Sequence, residues 1–210
     1  MKCVFLGPPG AGKGTLAVEV SKLYDIVHIS TGDLFRSAIK NGTELGKKIK
    51  AVIESGALVS DDLTVELLKE RLQKDDWKKG FILDGFPRTI AQAEALSKLV
   101  QLDYVINLDI SDEEVIERLS GRRVCSKCGH SFHVKFMRPK AEGICDDCGA
   151  SLITREDDRR EAIEKRLKTY AEQTYPLIKY YKEKGLLVDI DARPSTAEIL
   201  KDFQVKFAKK

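Results

Sequence analysis

Residues 7–15 read GPPGAGKGT. Glycines at this spacing let backbone N–H groups turn inward around phosphate oxygens, and the lysine adds a point charge for the outer phosphates. The general phosphate-loop pattern puts Ser or Thr directly after the lysine. Here Gly14 follows Lys13, and the hydroxyl comes one place later at Thr15. The run FILDGFPRT, residues 81–89, adds a carboxylate, a permissive glycine and a guanidinium. Asp84 can face a magnesium ion or its waters beside phosphates, Gly85 lets backbone approach a ligand, and Arg88 can grip phosphate with two parallel bonds. More arginines follow the same logic: Arg36 in STGDLFR, Arg122 and Arg123 after Gly121, then Arg155, Arg159, Arg160 and Arg166. One such residue reads as a solvated surface side chain. The set, at loop and helix-end positions, suits a ligand with several phosphates.

Four of the five cysteines carry different chemistry. Cys125-x-x-Cys128 and Cys145-x-x-Cys148, with 16 residues between the pairs, fit a four-thiolate zinc pattern. Gly129 and Gly149 supply a tight turn after each pair. Four thiolates fill a tetrahedron, so the expected metal is structural. His130 and His133 could each replace a thiolate, but four cysteines are already in register. Cys3 reads as a small apolar residue in a strand.

Elements must hold these groups in place. Lys2–Leu6 is an apolar strand, and after the glycine loop Leu16, Ala17, Val20 and Leu23 recur at helical spacing. Ile26–Ile29, Phe81–Asp84, Tyr104–Leu108 and Leu186–Ile190 read as further strands. Helices are expected after Ser30, Ser60, Thr89 and Ser111, with Ser30/Asp33 and Ser111/Glu114 spaced as capping boxes. Ile199, Leu200, Phe203 and Phe207 line one face of a last helix. Residues 157–184 read as a charged helical stretch kinked at Pro176. Strand–helix alternation implies an α/β fold, a parallel sheet covered on both faces, with ligands at the carboxyl ends of its strands. Residues 30–59 and 121–158 interrupt the alternation and read as inserts.

The chain has 210 residues, 36 basic and 33 acidic, for a net charge of +3. That balance offers no basic face for nucleic acid, and no apolar run reaches the roughly 18 residues of a bilayer span. The chain reads as cytoplasmic, with reduced cysteines rather than disulfides.

Together GPPGAGKGT, STGDLFR, DGFPRT, SGRRVC and the REDD…KRL stretch resemble the adenylate kinases, in the long form with a large, zinc-binding lid. The likeness runs along the whole chain, with the motifs in the family's order. It implies a P-loop NTPase-type core with a five-stranded parallel sheet (1–29, 60–120 and 159–210), a helical NMP-binding insert (30–59) and a small zinc-ribbon-like lid (121–158). It implies Mg2+ with ATP, structural Zn2+, a monomer, and the reaction of ATP and AMP to two ADP.

By matching motif, Gly10, Ala11, Gly12, Lys13, Gly14 and Thr15 wrap the ATP phosphates. Arg118, Arg122, Ser131, Phe132 and Arg193 join them on the ATP side. The family often has Tyr where this chain has Phe132. Thr31, Arg36, Ala57, Leu58, Val59, Gly85, Phe86, Pro87, Arg88 and Gln92 bind AMP, with Arg155 and Arg166 closing from the other side. Gln92 lies one helical turn past Arg88, and its amide can both donate to and accept from an adenine edge. Asp84 holds magnesium through water. Lys13, Arg88, Arg122, Arg155 and Arg166 surround the phosphoryl group in flight. The attacking AMP phosphate is already an anion, so no general base is needed and the three histidines are set aside. Rival readings are a kinase for UMP, CMP or GMP or with GTP as donor, a P-loop switch, and a nucleotide-gated nucleic-acid binder gripping through its zinc ribbon.

Overall fold

The structure is a computed structural model, and it describes residues 1–207. Its main sheet contains β1 (Lys2–Leu6), β2 (Val27–Ser30), β3 (Phe81–Asp84), β4 (Tyr104–Asp109) and β8 (Leu187–Asp191), in the order β2-β3-β1-β4-β8. Every pairing in it is parallel. The expected strands stand within a residue of their places.

Alternation along β1 divides the core. Cys3 and Phe5 face one side, packing with Leu16, Ala17 and Val20 of α1 (Lys13–Tyr24) and Phe203 of α9 (Thr196–Lys206). Val4 and Leu6 face the other. They pack there with Leu68 of α4 (Asp61–Leu72), Leu96 of α5 (Ile90–Leu99) and Leu177 of α8 (Pro176–Glu183). Both faces of each inner strand are therefore covered, and the strands read as unbroken apolar runs. Leu23 departs from its expected place and is 41% exposed. Tyr24 takes the inward position of that last turn, edge-on to Phe203.

The remaining elements sit at the carboxyl ends of the strands. α2 (Thr31–Lys40) follows β2 directly, capped by Ser30, whose side chain accepts from Asp33 N–H. α3 (Glu44–Glu54) packs on it around Phe35, Ile49 and Val59. α6 (Asp112–Ser120) opens with the expected Ser111/Glu114 capping box. It leads into a three-stranded antiparallel sheet, β6-β5-β7, made of β5 (Arg122–Cys125), β6 (Ser131–His133) and β7 (Leu152–Ile153). α7 (Arg160–Thr169) then packs Ile163 against Val115 and Leu119 of α6.

The kink expected at Pro176 takes a particular form. Residues Tyr170–Thr174 make a π turn, closed by Tyr175 N–H to the Tyr170 carbonyl at 2.8 Å. Pro176 has no N–H to offer the turn before it and crowds its carbonyls, so the helix widens by one residue before restarting. No helix among the described residues is long and apolar enough to cross a membrane.

Candidate active site

β1 runs straight into the glycine loop, and α1 begins at Lys13 with Gly12 in the left-handed conformation (φ 92°) at its N-cap. No side chain caps this helix. Its first N–H groups are thereby left for a ligand, with the positive end of the helix behind them. Lys13 Nζ donates to the carbonyls of Gly7 and Pro8, both at 2.7 Å, which curls the side chain over the loop. Burial pushes the Lys13 ammonium down to about 7. Asp84 opposes this, and Arg88, Arg166 and Arg122 reinforce it.

Asp84 ends β3 beside β1, because Phe5 and Asp84 share a register. A Cβ on Gly14 would lie 3.3 Å from Asp84 Oδ2. The glycine after the lysine therefore keeps the loop tight against this carboxylate as well as removing a hydroxyl ligand. Burial alone would raise the Asp84 carboxyl. The neighbouring His28 ring and the charges of Lys13 and Arg88 outweigh it, so the group is held below the usual carboxylate range. His28 Nε2 stands 3.5 Å from Asp84 Oδ2. An ionised carboxylate at the mouth of a phosphate loop suits a hydrated magnesium ion.

Arginines converge on the same cleft from four stretches of the chain, two of them loops. Arg88 Nε donates to the Gly85 carbonyl at 2.8 Å, and Gly85 itself has φ 79°, which a side chain rarely allows. Arg122 of β5 clasps Asp158 with two bonds of 2.8 and 2.6 Å. Arg166 of α7 reaches Asp158 at 3.0 Å and Asp157 at 3.1 Å. The Asp158 side chain is fully buried between these two arginines. Arg155 Nε is buried with no hydrogen-bond partner. Burial, then Arg36 and Arg122, push its guanidinium down to about 9; burial and Arg166 push Arg88 down to about 10. Burial is the main cause, and the neighbouring cations add crowding that Asp84, Asp157 and Asp158 only partly offset. A polyanion entering here would relieve that crowding.

Most residues expected on the acceptor side line one cavity. Thr31 and Arg36 come from α2, Ala57, Leu58 and Val59 from the segment before α4, Gly85 and Arg88 from the β3–α5 turn, Gln92 from the first turn of α5, and Arg166 from α7. Phe86 is fully buried in the core beneath it, joined to Pro87 by a cis peptide bond. Gln92 is 2% exposed and bonded at both ends of its amide.

The other expected nucleotide contacts fall in two groups. Arg118 of α6 donates to Ala11 O (3.5 Å), Ala192 O (2.7 Å) and Arg193 O (3.2 Å), tying the glycine loop to the turn after β8. The Arg193 guanidinium itself pairs with Asp191 at 2.7 Å. Ser131 is half-buried on β6, whereas Phe132 turns into the small core around Cys125 and Cys145 and stacks on His130.

That core is built on the four cysteines. Their sulfurs lie within 4.8 Å of one another, with Cys125–Cys148 at 3.4 Å and Cys128–Cys145 at 3.6 Å, and all four are free thiols. Thiolates around zinc at ~2.3 Å stand roughly 3.8 Å apart, so the cluster is compatible with a tetrahedral ion. No other metal-like cluster occurs among the described residues. His130 pairs instead with Asp147. His133 lies at the other end of β6. Its Nδ1 accepts from the N–H groups of Lys135 (3.0 Å) and Phe136 (3.2 Å), and its ring covers Gly121. Lys135 pairs with Glu117 at 2.5 Å, and Lys40 of α2 donates to the Ser126 carbonyl at 3.2 Å across the cleft.

Asp158 and Asp157, which pair with Arg122 and Arg166, His28 beside Asp84, and Asp61, which accepts from Gln92 Nε2 at 2.7 Å, are residues around the cleft that the motifs did not single out. Asp157 and Asp158 stood inside the REDD run, and a carboxylate pair among arginines was the available signal. His28 lies two residues from Ser30 on β2, on the same side of the strand.

A family model described as adenylate kinase matches residues 5–186. The chain is similar to the adenylate kinase of Treponema denticola, with 70% identity over 207 residues and 99% of each chain covered. It is 53% identical over 207 residues to the adenylate kinase of Acetivibrio thermocellus, covering 96% of this chain and 95% of that one. With the adenylate kinase of Fervidobacterium nodosum the identity is 52% over 206 residues, covering 96% and 94%.

Proposed function

This chain belongs to the adenylate kinase family and interconverts ATP and AMP with two ADP; from that premise we propose how its residues divide the work. The glycine loop, residues 10–15, and the N-terminus of α1 hold the ATP phosphates, with Arg118 steadying the loop from behind. The cavity under α2 holds AMP. Arg36 and Arg88 take its phosphate, and Gln92 meets its base. Residues 30–59 act as the acceptor insert, 121–158 as the lid, and the rest as the core.

The single observation that carries this division is the convergence of Lys13, Arg88, Arg122, Arg155 and Arg166 on the cleft between glycine loop and acceptor cavity. The AMP phosphate needs no base to attack, so catalysis reduces to alignment and charge stabilisation. Lys13 and the four arginines supply fixed positive charge to the phosphoryl group as it passes. Asp157 and Asp158 aim Arg122 and Arg166 beforehand, so little reorganisation remains at the moment of reaction. Asp84 would hold magnesium through its waters, and the ion, when bound, would supply charge neutralisation for the donor phosphates. Contacts such as Lys40 to Ser126 bring insert and lid together over the cleft and exclude water that would hydrolyse ATP.

Cys125, Cys128, Cys145 and Cys148 would hold zinc, whose four bonds would clamp a lid with an apolar core of only a few residues. The protein works as a monomer in the cytoplasm, without membrane or nucleic-acid partners.

The test is to supply Mg-ATP with each nucleoside monophosphate in turn and follow diphosphate formation. Transfer to AMP far ahead of UMP, CMP and GMP is expected, and Arg122→Ala should lose most of kcat while the fold persists. Efficient transfer to another monophosphate would overturn the acceptor assignment. Near-normal kcat in Arg122→Ala would remove that residue from the reacting centre.

A further inference from the structure

Gln92 borders the acceptor cavity, and both ends of its amide are held. Oε1 accepts from the Arg88 backbone N–H at 2.8 Å. Nε2 donates to Asp61 Oδ1 at 2.7 Å. Asp61 is the first residue of α4, and the same oxygen accepts the Thr89 hydroxyl at 3.0 Å. Thr89 in turn caps α5 by accepting from the Gln92 N–H at 3.2 Å. The polarity of this chain is fixed. A backbone N–H only donates, and an ionised carboxylate only accepts. Turning the amide over would set donor against donor at Arg88 and acceptor against acceptor at Asp61.

Each end of the amide keeps one unused position, a lone pair on Oε1 and a hydrogen on Nε2. An acceptor beside a donor complements adenine, whose N6 donates and whose N1 accepts. A 6-oxopurine reverses that order, since its O6 accepts and its N1–H donates. A free amide serves both bases by turning over. One that cannot turn serves adenine alone, and a matched polar contact of this kind discriminates strongly.

We propose that Asp61 is a specificity-determining positioning residue, which locks the Gln92 amide in the orientation that accepts AMP and rejects 6-oxopurine monophosphates. Asp61 touches no substrate and acts through Gln92. The proposal rests on the reading that Gln92 meets the base of the acceptor.

The test compares kcat/KM for AMP with kcat/KM for IMP, using Mg-ATP as donor, in the wild type, Asp61→Asn and Gln92→Ala. IMP differs from AMP only along the edge in question. An asparagine can turn its own amide to donate, so Asp61→Asn releases one end of the lock. The AMP/IMP ratio should fall by about tenfold in Asp61→Asn, the size of one hydrogen-bond mismatch. The ratio does not depend on how much of a variant is folded, so partial unfolding leaves it unmoved. An unchanged ratio in Asp61→Asn overturns the lock, even if both rates drop. An unchanged ratio in Gln92→Ala overturns instead the assignment of Gln92 to the base.

Discussion

Gly121 joins α6 to the lid, and its replacement by alanine is a sharp test of how that joint is built. Its backbone (φ −86°, ψ −5°) suits any residue, so alanine alone should gain a few tenths of a kcal/mol from propensity. Space decides otherwise. An added Cβ would lie 2.3 Å from His133 Nε2 and 2.4 Å from its Cε1, more than an ångström inside ordinary contact. The ring must retreat by about that much. Its Nδ1 bonds to the N–H groups of Lys135 and Phe136, at 3.0 and 3.2 Å, then stretch past bonding range. Lys135 and Phe136 are exposed, so water takes up part of the loss, and the two N–H groups left without partners cost about 1–2 kcal/mol each.

Net of the propensity gain, Gly121→Ala should lose roughly 2–4 kcal/mol. For a chain of this size that lowers Tm by about 5–15 °C. Calorimetry on a double-mutant cycle with His133→Ala isolates the cause. In the His133→Ala background the same glycine replacement should be neutral or slightly stabilising. A Gly121→Ala protein as stable as the wild type, or an equal loss in both backgrounds, would refute the socket that Gly121 makes for the His133 ring.

Two further outcomes follow from the site. Lys13 titrates near 7 in the folded protein against an ordinary 10.5. Because the folded value is depressed, this group's contribution to stability rises as pH climbs from about 7 to about 10.5 and is lowest below 7, where the buried ammonium is charged. Triphosphate anions raise the value, so ATP binding at pH 8 should take up close to one proton and weaken as pH rises. Calorimetry in buffers of different ionisation enthalpy reads this directly, and a buffer-independent heat would defeat it. Chelation or Cys145→Ser should bring the lid to melt below the core, seen as early amide exchange in residues 122–153. Fluorescence of Trp77, packed with the main core, should hold its transition. Simultaneous, unshifted melting of both would count against a structural metal.

Much of the cleft was legible because its signals are contiguous. A strand, a glycine run and a helix in 24 residues identify a phosphate loop, since the loop's conformation is set by residues adjacent in the chain. The cysteine pairs are legible for the same reason: two short turns fix the spacing of their sulfurs. Capping pairs such as Ser111/Glu114 state where helices begin within four residues. Arginines could be gathered only as a set, because nothing local tells a surface guanidinium from one aimed at phosphate.

Order along the chain thus carried the strand–helix succession, the phosphate loop, the cysteine quartet and the family. Tertiary structure alone decided what meets across the chain. It placed Gly14 against Asp84, buried Asp158 between Arg122 and Arg166, seated the His133 ring on Gly121, and held Gln92 to Asp61, 31 residues away. It also turned Phe132 inward and gave the Pro176 kink its π turn. The physical reason is common to all of these. Hydrogen-bond polarity, charge pairing and close contact act over a few ångströms of space, and the separation along the chain carries no record of which residues folding brings that close.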